Sequence, residues 1–205
     1  MQKLIKRLKG RGVLQSPDII RALEDIDRVD FLPEELRDSA YEDTALPIGA
    51  GQTISQPYTV VFMLEQLQVR SGDVVLDVGF GSGWQTALLA HLVGPSGKIY
   101  AFEVVPELCE LGKGNLEKYP NLAGRVRLLC MSAQSGYAEV APFDRIVAAA
   151  EVTQVPGAWR EQLVPGGRMV YPKGNALVLE TKRADGTFAV KEFPGFVFVP
   201  FVEDY

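Results

Sequence analysis

The sequence is short of the residues on which several kinds of catalysis depend. Its single histidine, His91, lies in the apolar stretch "TALLAHLVG", which is typical of a packed helix. A serine or cysteine nucleophile needs a positioned base, so hydrolase chemistry of that kind is not expected. The two cysteines, Cys109 and Cys130, do not make a disulfide framework, and no second pair completes a zinc site. We therefore expect no bound metal.

Long apolar runs and an excess of positive charge are also missing. No run approaches the ~20 apolar residues that span a bilayer. The basic start "MQKLIKRLKGRG" lacks the apolar centre of a signal peptide. The formal net charge of −5 argues against broad nucleic-acid binding. These absences predict a cytoplasmic protein with neither a membrane nor a nucleic acid as partner.

The length and composition suit one folded domain. The chain has 205 residues, of which 47% are hydrophobic and 23% are charged. No repeat, low-complexity stretch or linker divides it. We expect a single domain over residues 1–205, with an N-terminal helical extension and substrate-side loop in 1–56 and an α/β core in 57–205.

Apolar runs of strand type alternate with helical segments from residue 57 onward. The predicted strands are 74–79, 97–103, 125–130, 143–150 and 166–172, and the predicted helices are 57–69, 84–93, 106–119 and 156–163. This alternation favours a doubly wound, mainly parallel sheet covered on both faces. Residues 175–193 predict a hairpin turning at Asp185-Gly186, which adds antiparallel C-terminal strands at one edge.

A glycine-rich turn joins the first of these strands to its helix. In "VVLDVGFGSGWQTALLA", Gly79, Gly81 and Gly83 directly follow the apolar run. Glycines at such a turn let the backbone bend tightly and let a ligand approach closely. The spacing is G-x-G-x-G, which matches neither the G-x-G-x-x-G dinucleotide motif nor a phosphate loop with its lysine. It therefore favours a ligand that carries no pyrophosphate.

Two acids accompany this turn. Asp77 precedes it, and Glu103 ends the next strand, where an acid can accept both hydroxyls of a ribose. Together these features indicate an adenosine-bearing cofactor, and they resemble the motifs of class I S-adenosylmethionine-dependent methyltransferases, which have a Rossmann-like fold. The resemblance implies S-adenosylmethionine as cofactor, S-adenosylhomocysteine as product, and contact between Asp77 and the cofactor's amino group, directly or through water. The alternative is a structural glycine turn beside a solvated glutamate.

A polar segment, "GQTISQP" (51–57), precedes the first core strand. With its surroundings, "AYEDTALPIGAGQTISQPYTVVFMLEQL" (40–67), it resembles the N-terminal signature of protein-L-isoaspartate O-methyltransferases. The segments "VLDVGFGSGWQTALLA", "APFDRIVAAA", "VPGAWREQLVPGGRMVYPKG" and "FVPFV" follow in that family's order. The resemblance therefore covers nearly the whole chain.

The resemblance implies an enzyme that transfers a methyl group from S-adenosylmethionine to the α-carboxylate of L-isoaspartyl residues in damaged proteins or peptides, as a step of protein repair. Such a carboxylate has a pKa of about 4 and is ionised at pH 7, so no general base is required. By resemblance, Ser55 is the active-site serine, which orients substrate or cofactor and is not a nucleophile. Gln52, Thr53 and Ile54 line the same pocket. The alternative role for Ser55 is to cap the helix that starts near Pro57. We expect a monomer.

Three positions depart from the family pattern. Ser132 stands where the family has an aspartate that binds the adenine amino group. We expect Ser132 and its neighbour Ala133 to contact the adenine in place of that aspartate. Val104 replaces an arginine that often follows the ribose-binding acid. Glu151 follows Ala149 and Ala150 where the family usually has Thr-Ala-Ala.

These departures leave two other functions open. One is a related methyltransferase with a different acceptor, a lysine amine or a modified peptide. Glu151 would then serve as a base or as an anchor for the cation. The other is a cofactor-binding protein that has lost catalysis.

Overall fold

A computed structural model of the protein describes residues 1–202. Residues 203–205, which the predicted domain includes, lie outside the described residues. The N-terminal part forms helices and a small hairpin. Its elements are α1 (Gln2–Gly10), α2 (Pro17–Asp25), two 3₁₀ turns at Arg28–Phe31 and Glu34–Ser39, and the antiparallel pair β1 (Leu46–Gly49) and β2 (Gln52–Ile54).

The remaining elements build a seven-stranded sheet with its helices. In chain order they are α3 (Pro57–Leu67), β3 (Val74–Val78), α4 (Trp84–Leu92), β4 (Lys98–Glu103), α5 (Pro106–Leu116), a 3₁₀ turn at Pro120–Arg125, β5 (Val126–Cys130), β6 (Phe143–Ala148), α6 (Gly157–Glu161), β7 (Leu163–Lys173), β8 (Ala176–Lys182) and β9 (Phe188–Pro194).

The strand order is β5-β4-β3-β6-β7-β8-β9. Pairs from β5 to β7 are parallel, and β8 and β9 are antiparallel additions at one edge. The order reverses at β3, which lies between β4 and β6. Ligands bind at the carboxyl ends of strands at such a reversal. The predicted mainly parallel α/β fold with antiparallel C-terminal strands is confirmed.

Alternate residues of each strand face two apolar layers. Val75 packs with the layer formed by α1 to α5, whereas its neighbour Leu76 packs with Tyr137 and Trp159 on the opposite face. Buried side chains of the N-terminal part, such as Leu4 and Ile54, belong to the same layer as those of α4. This continuity supports the proposal that the chain folds as one domain.

Two local expectations need correction. The helix predicted over 156–163 ends at Glu161, because Leu163 already belongs to β7 and pairs with Phe143. The segment before α3, expected to be a loop, contains the β1–β2 hairpin. Its turn, Gly49 to Gly51, has positive φ at each residue, including Ala50 at +49°.

A disulfide joins Cys109 in α5 to Cys130 at the end of β5, with the Cα atoms 6.0 Å apart. Nothing in the spacing of the two cysteines indicates this bridge, because it is the packing of α5 against β5 that brings them together. Among residues 1–202, no group of three or more potential metal ligands is present. Nor does this part of the chain contain a helix with the length and apolarity needed to cross a bilayer.

Candidate active site

The glycine turn after β3 forms one wall of a cavity at the carboxyl ends of β3 and β4. Gly79, Gly81 and Gly83 have φ values of +80°, +48° and +86°, a region that glycine adopts without strain. The N–H groups of Gly79 and Phe80 both donate to the carbonyl of Phe102, at 2.8 and 3.0 Å. The turn is therefore fixed to the end of β4.

Glu103 lies at the tip of β4 and is only 7% exposed. One of its oxygens accepts from Val104 N and Val105 N at 2.9 and 3.1 Å, and the other accepts from Gly81 N at 3.0 Å. These backbone donors hold the carboxylate in one orientation at the cavity wall. A carboxylate has about four acceptor positions, so it can still accept from a bound hydroxyl.

The cavity beside this turn, called here the glycine-loop cavity, combines polar and apolar walls. Its lining residues are Ile48, Gln52, Thr53, Ile54, Ser55, Val60, Val78, Gly79, Phe80, Gly81, Ser82, Trp84, Gln85, Phe102, Glu103, Val104, Val105, Leu108, Met131, Ala133, Ala149, Ala150, Val199, Pro200, Phe201 and Val202. Of the residues expected to bind cofactor, the structure brings together Gln52, Thr53, Ile54, Ser55, Gly79, Gly81, Glu103, Val104 and Ala133. Asp77, Gly83 and Ser132 do not belong to the lining.

Asp77 lies beneath the cavity rather than in its wall. Its carboxylate is fully buried and accepts from Gln85 Nε2 at 2.9 Å and Thr86 Oγ1 at 2.6 Å. Burial raises its pKa from 3.8 to about 6, the two hydrogen bonds oppose that shift, and the charge of Glu103 adds to it. Gln85, which donates to Asp77, lines the cavity, whereas Asp77 itself does not. The predicted contact between Asp77 and the cofactor's amino group, directly or through water, stays a prediction.

Gly83 and Ser132 lie next to the lining for different reasons. Gly83 is the N-cap residue of α4, and a Cβ there would approach Gly112 O at 3.1 Å, so this glycine allows close packing against α5. The hydroxyl of Ser132 accepts from Gln134 N at 3.3 Å within its own loop. Its neighbours Met131 and Ala133 form the wall instead.

A second depression, called here the aromatic groove, adjoins the cavity. It lies between α3 and residues 192–199, which comprise the end of β9 and the segment that follows it. Phe62 packs edge-on against Phe193 at 4.9 Å between ring centroids and contacts Phe196 at 5.0 Å. Arg11 covers the Tyr58 ring at 4.0 Å. Thr53, Ser55, Ala149 and Val199 line both the groove and the cavity, so the two spaces meet at these residues.

Ser55 does not cap the helix that follows it. The N-terminal N–H of Tyr58 donates to Asp43 Oδ1 at 2.8 Å, so Asp43 provides the cap from a distant part of the chain. Within residues 1–202 the Ser55 hydroxyl makes no hydrogen bond with protein. It is therefore available to a ligand where the cavity and the groove meet.

Arg28 holds the backbone of this segment from behind. The residue is fully buried, and its guanidinium donates to the carbonyls of Ala40, Thr44 and Ser55 at 2.8, 3.0 and 3.1 Å. Burial lowers its pKa from 12.5 to about 10, against a smaller raising effect of the Asp43 charge. Arg28 is therefore still a cation at neutral pH, directly behind Ser55.

No side chain of the junction is placed to remove a proton from an acceptor. In the described part of the chain, the linings of cavity and groove contain no histidine, lysine or cysteine. His91 lies on α4 and pairs with Asp25 at 2.8 Å. Glu151 lines neither space, and its Oε1 accepts from Gly174 N at 3.0 Å.

Comparison with known proteins decides the family. The family model described as Protein-L-isoaspartate(D-aspartate) O-methyltransferase matches residues 1–205. The chain belongs to this family. A protein-L-isoaspartate O-methyltransferase from Methanothrix thermoacetophila is 43% identical over 209 residues, which cover 100% of this chain and 95% of that protein. One from Hyperthermus butylicus is 40% identical over 215 residues, with 100% and 89% covered.

A solved structure shows the same fold. It is described as a protein-L-isoaspartate O-methyltransferase from Plasmodium falciparum in complex with S-adenosyl-L-homocysteine. It superimposes with a TM-score of 0.89, covers 98% of both chains and is 22% identical. The low identity limits this comparison to the fold.

Several residues of this protein-L-isoaspartate O-methyltransferase site carry no local sequence signal. Arg28 and Asp43 act through contacts with distant backbone groups, and the groove aromatics come from α3 and from the segment after β8. Gln85 lies in α4, directly after the glycine turn. The sequence there predicts a helix that starts at Trp84, but it does not predict a role for Gln85 in the site. The periodicity of apolar residues predicts helices and strands, but it does not indicate which loops contact one another in the fold.

Proposed function

We propose that this protein transfers a methyl group from S-adenosylmethionine to the α-carboxylate of L-isoaspartyl residues in damaged proteins or peptides. The observation that carries the proposal is the meeting of the glycine-loop cavity and the aromatic groove at Ser55. The glycine-loop cavity suits the adenosine and methionine parts of the cofactor, and the aromatic groove suits a polypeptide. Their junction is where an acceptor would meet a methyl group.

The cavity fits the cofactor in three respects. Glu103 offers a fixed carboxylate to the ribose hydroxyls. Val104, Leu108 and Met131 provide apolar contact for a purine. Among residues 1–202, the indole N–H of Trp84 is a buried donor without an acceptor in the cavity wall, which suits a carboxylate of the ligand. The bound cofactor supplies an electrophilic methyl group on a sulfonium.

The junction suits an acceptor that is already an anion. The α-carboxylate of an isoaspartyl residue is ionised at neutral pH, so the acceptor needs no histidine, lysine or cysteine as a base, and the described linings contain none. The Ser55 hydroxyl can donate to one carboxylate oxygen and leave the other to react. The positive charge of Arg28 behind Ser55 favours binding of an anion there. Catalysis then rests on alignment of the reacting atoms.

The pH dependence of the rate distinguishes this acceptor from a lysine amine. With saturating cofactor and an isoaspartyl peptide, we expect a transfer rate that is nearly constant from pH 6.5 to 8, because the acceptor stays ionised. An amine acceptor with a pKa of about 10.4 would give a rate that rises about tenfold per pH unit. A rise of that kind would contradict the proposal.

The proposal also covers the setting of the reaction. We expect a monomer that acts on damaged proteins. Composition and charge also favour a cytoplasmic protein that does not bind nucleic acid. Light scattering after size exclusion tests the monomer, and a doubled mass would contradict it.

A further inference from the structure

Glu151 lies immediately behind both walls of the site. Its main chain forms a one-residue parallel bridge with Pro200. Glu151 N donates to Val199 O at 2.7 Å, and Glu151 O accepts from Phe201 N at 2.8 Å. Val199, Pro200 and Phe201 line the glycine-loop cavity, so this bridge fixes that part of its wall.

The Glu151 side chain reaches a different element. Its Oε1 accepts from Gly174 N in the turn between β7 and β8. Gly174 and Asn175 have φ values of +56° and +61°, which makes this a tight two-residue turn. The carboxylate therefore fixes the orientation of the turn relative to the end of β6.

The Gly174-Asn175 turn also supports the wall of the aromatic groove. Asn175 O accepts from Gly195 N at 2.9 Å and from Phe196 N at 3.2 Å. Gly195 and Phe196 line the groove, and Phe196 packs against Phe62 across it. A continuous path of hydrogen bonds thus runs from the Glu151 carboxylate through the turn to the groove wall.

We propose that Glu151 is a positioning residue for methyl transfer, whose main chain holds residues 199–201 at the cofactor side while its carboxylate braces the acceptor groove through Gly174 and Asn175. This inference rests on the proposed function for the identity of the acceptor. It assigns no proton transfer to Glu151, because the carboxylate lines neither space and accepts a backbone hydrogen bond.

The two roles of Glu151 separate on substitution. Glu151→Ala removes the side-chain acceptor and leaves the main-chain bridge. We expect the KM for an isoaspartyl peptide to rise roughly three- to tenfold, the range expected for one lost hydrogen bond. The kcat and the Kd for S-adenosylhomocysteine should each stay within about twofold of wild type.

A conservative variant tests the mechanism. Glu151→Gln keeps an oxygen that can accept from Gly174 N, so it should restore the KM to within about twofold of wild type. Glu110→Ala, which removes an exposed carboxylate from α5, controls for the change in net charge and should match wild type. If Glu151→Gln and Glu151→Ala both lose kcat, Glu151 acts in proton transfer and the positioning role is overturned. An unchanged KM in Glu151→Ala overturns it as well.

Amide hydrogen exchange provides a readout that does not depend on the acceptor. In Glu151→Ala, the amides of Gly174, Gly195 and Phe196 should exchange faster than in wild type, and Glu151→Gln should restore their protection. Unchanged exchange at these amides contradicts the bracing even if wild type proves inactive on isoaspartyl peptides. Inactivity of wild type, with altered exchange in the alanine variant, would instead contradict the proposed function alone.

Discussion

Ser55 is the residue on which the two halves of the site converge. Its backbone carbonyl accepts a hydrogen bond from Arg28, and Asp43 caps the following helix in its place. Ser55 itself lines both the cavity and the groove. Because the Ser55 hydroxyl neither caps the helix nor bonds to another described residue, it can orient a ligand. This arrangement agrees with an orienting role and requires no nucleophile.

Ser55→Ala should lower kcat about ten- to a hundredfold, because a positioned donor at the reacting carboxylate is lost. The Kd for S-adenosylhomocysteine, measured by calorimetry, should change less than about threefold, since Glu103 and the glycine turn are untouched. Steady-state kinetics with an isoaspartyl peptide provide the comparison. A variant with wild-type kcat would remove Ser55 from the reaction.

Asp77 offers a test through the pH dependence of stability. Its folded pKa of about 6 lies above the ordinary 3.8 because burial disfavours the charge. The folded state therefore binds its proton more tightly, so the contribution of Asp77 is fully present below pH 4 and is lost as the pH rises through 6. The loss is at most about 3 kcal/mol.

Asp77→Asn stays neutral and lacks this loss. The free energy of unfolding of the variant, relative to wild type, should therefore increase between pH 4 and pH 7. Urea denaturation at several pH values gives both curves. Parallel curves would show that the carboxyl group titrates normally despite its burial.

At the scale of elements, α5 packs unusually close to the glycine turn. A Cβ on Gly112 would lie 2.7 Å from Gly81 O and 2.7 Å from Phe80 Cε2. Gly112→Ala must therefore displace the turn, and we expect a loss of about 1–3 kcal/mol in stability together with weaker binding of S-adenosylhomocysteine. Denaturation and calorimetry measure the two effects.

Gly114 on the same helix provides the matched control. A Cβ there would meet nothing within 4 Å. Gly114→Ala should stabilise α5 by about 0.5–1 kcal/mol and leave cofactor binding unchanged. Equal behaviour of the two variants would mean that the close approach of α5 does not shape the turn.

The central strands were predictable because buried parallel strands carry continuous apolar runs. Residues 74–79 and 97–103 illustrate this, since each contains its observed strand. The β1–β2 hairpin could not be predicted, because a strand of three residues, Gln52–Ile54, is too short to show alternation of apolar and polar residues. The short α6 was overestimated for a related reason, since pairing of Leu163 with Phe143 overrode local helix preference.

Some residues of the candidate site could likewise be predicted from the sequence, and others could not. The glycine turn, Glu103 and the "GQTISQP" segment are contiguous or strand-terminal features, and the sheet brings them to one edge. Arg28, Asp43 and the Glu151–Gly174 contact join segments far apart in the chain, so no local pattern indicates them. The strand position of Asp77 does not reveal its hydrogen bonds with Gln85 and Thr86 or its place outside the cavity lining.

At the scale of the whole molecule, the sheet order brings both spaces to one place. The reversal at β3 opens the glycine-loop cavity at its carboxyl end, and the edge strands β8 and β9 extend the sheet towards the aromatic groove. The N-terminal part closes the other side of the junction with Thr53 and Ser55. Cofactor and acceptor sites thus depend on parts from both ends of the chain.

Methylation of an isoaspartyl carboxylate at the junction can be measured with paired peptides. The protein is incubated with labelled S-adenosylmethionine and two peptides of identical sequence, one with L-isoaspartate and one with L-aspartate. We expect label to enter the first peptide alone, as a methyl ester that is released by mild base. Binding of the cofactor without transfer to either peptide, or label that resists base, would contradict it.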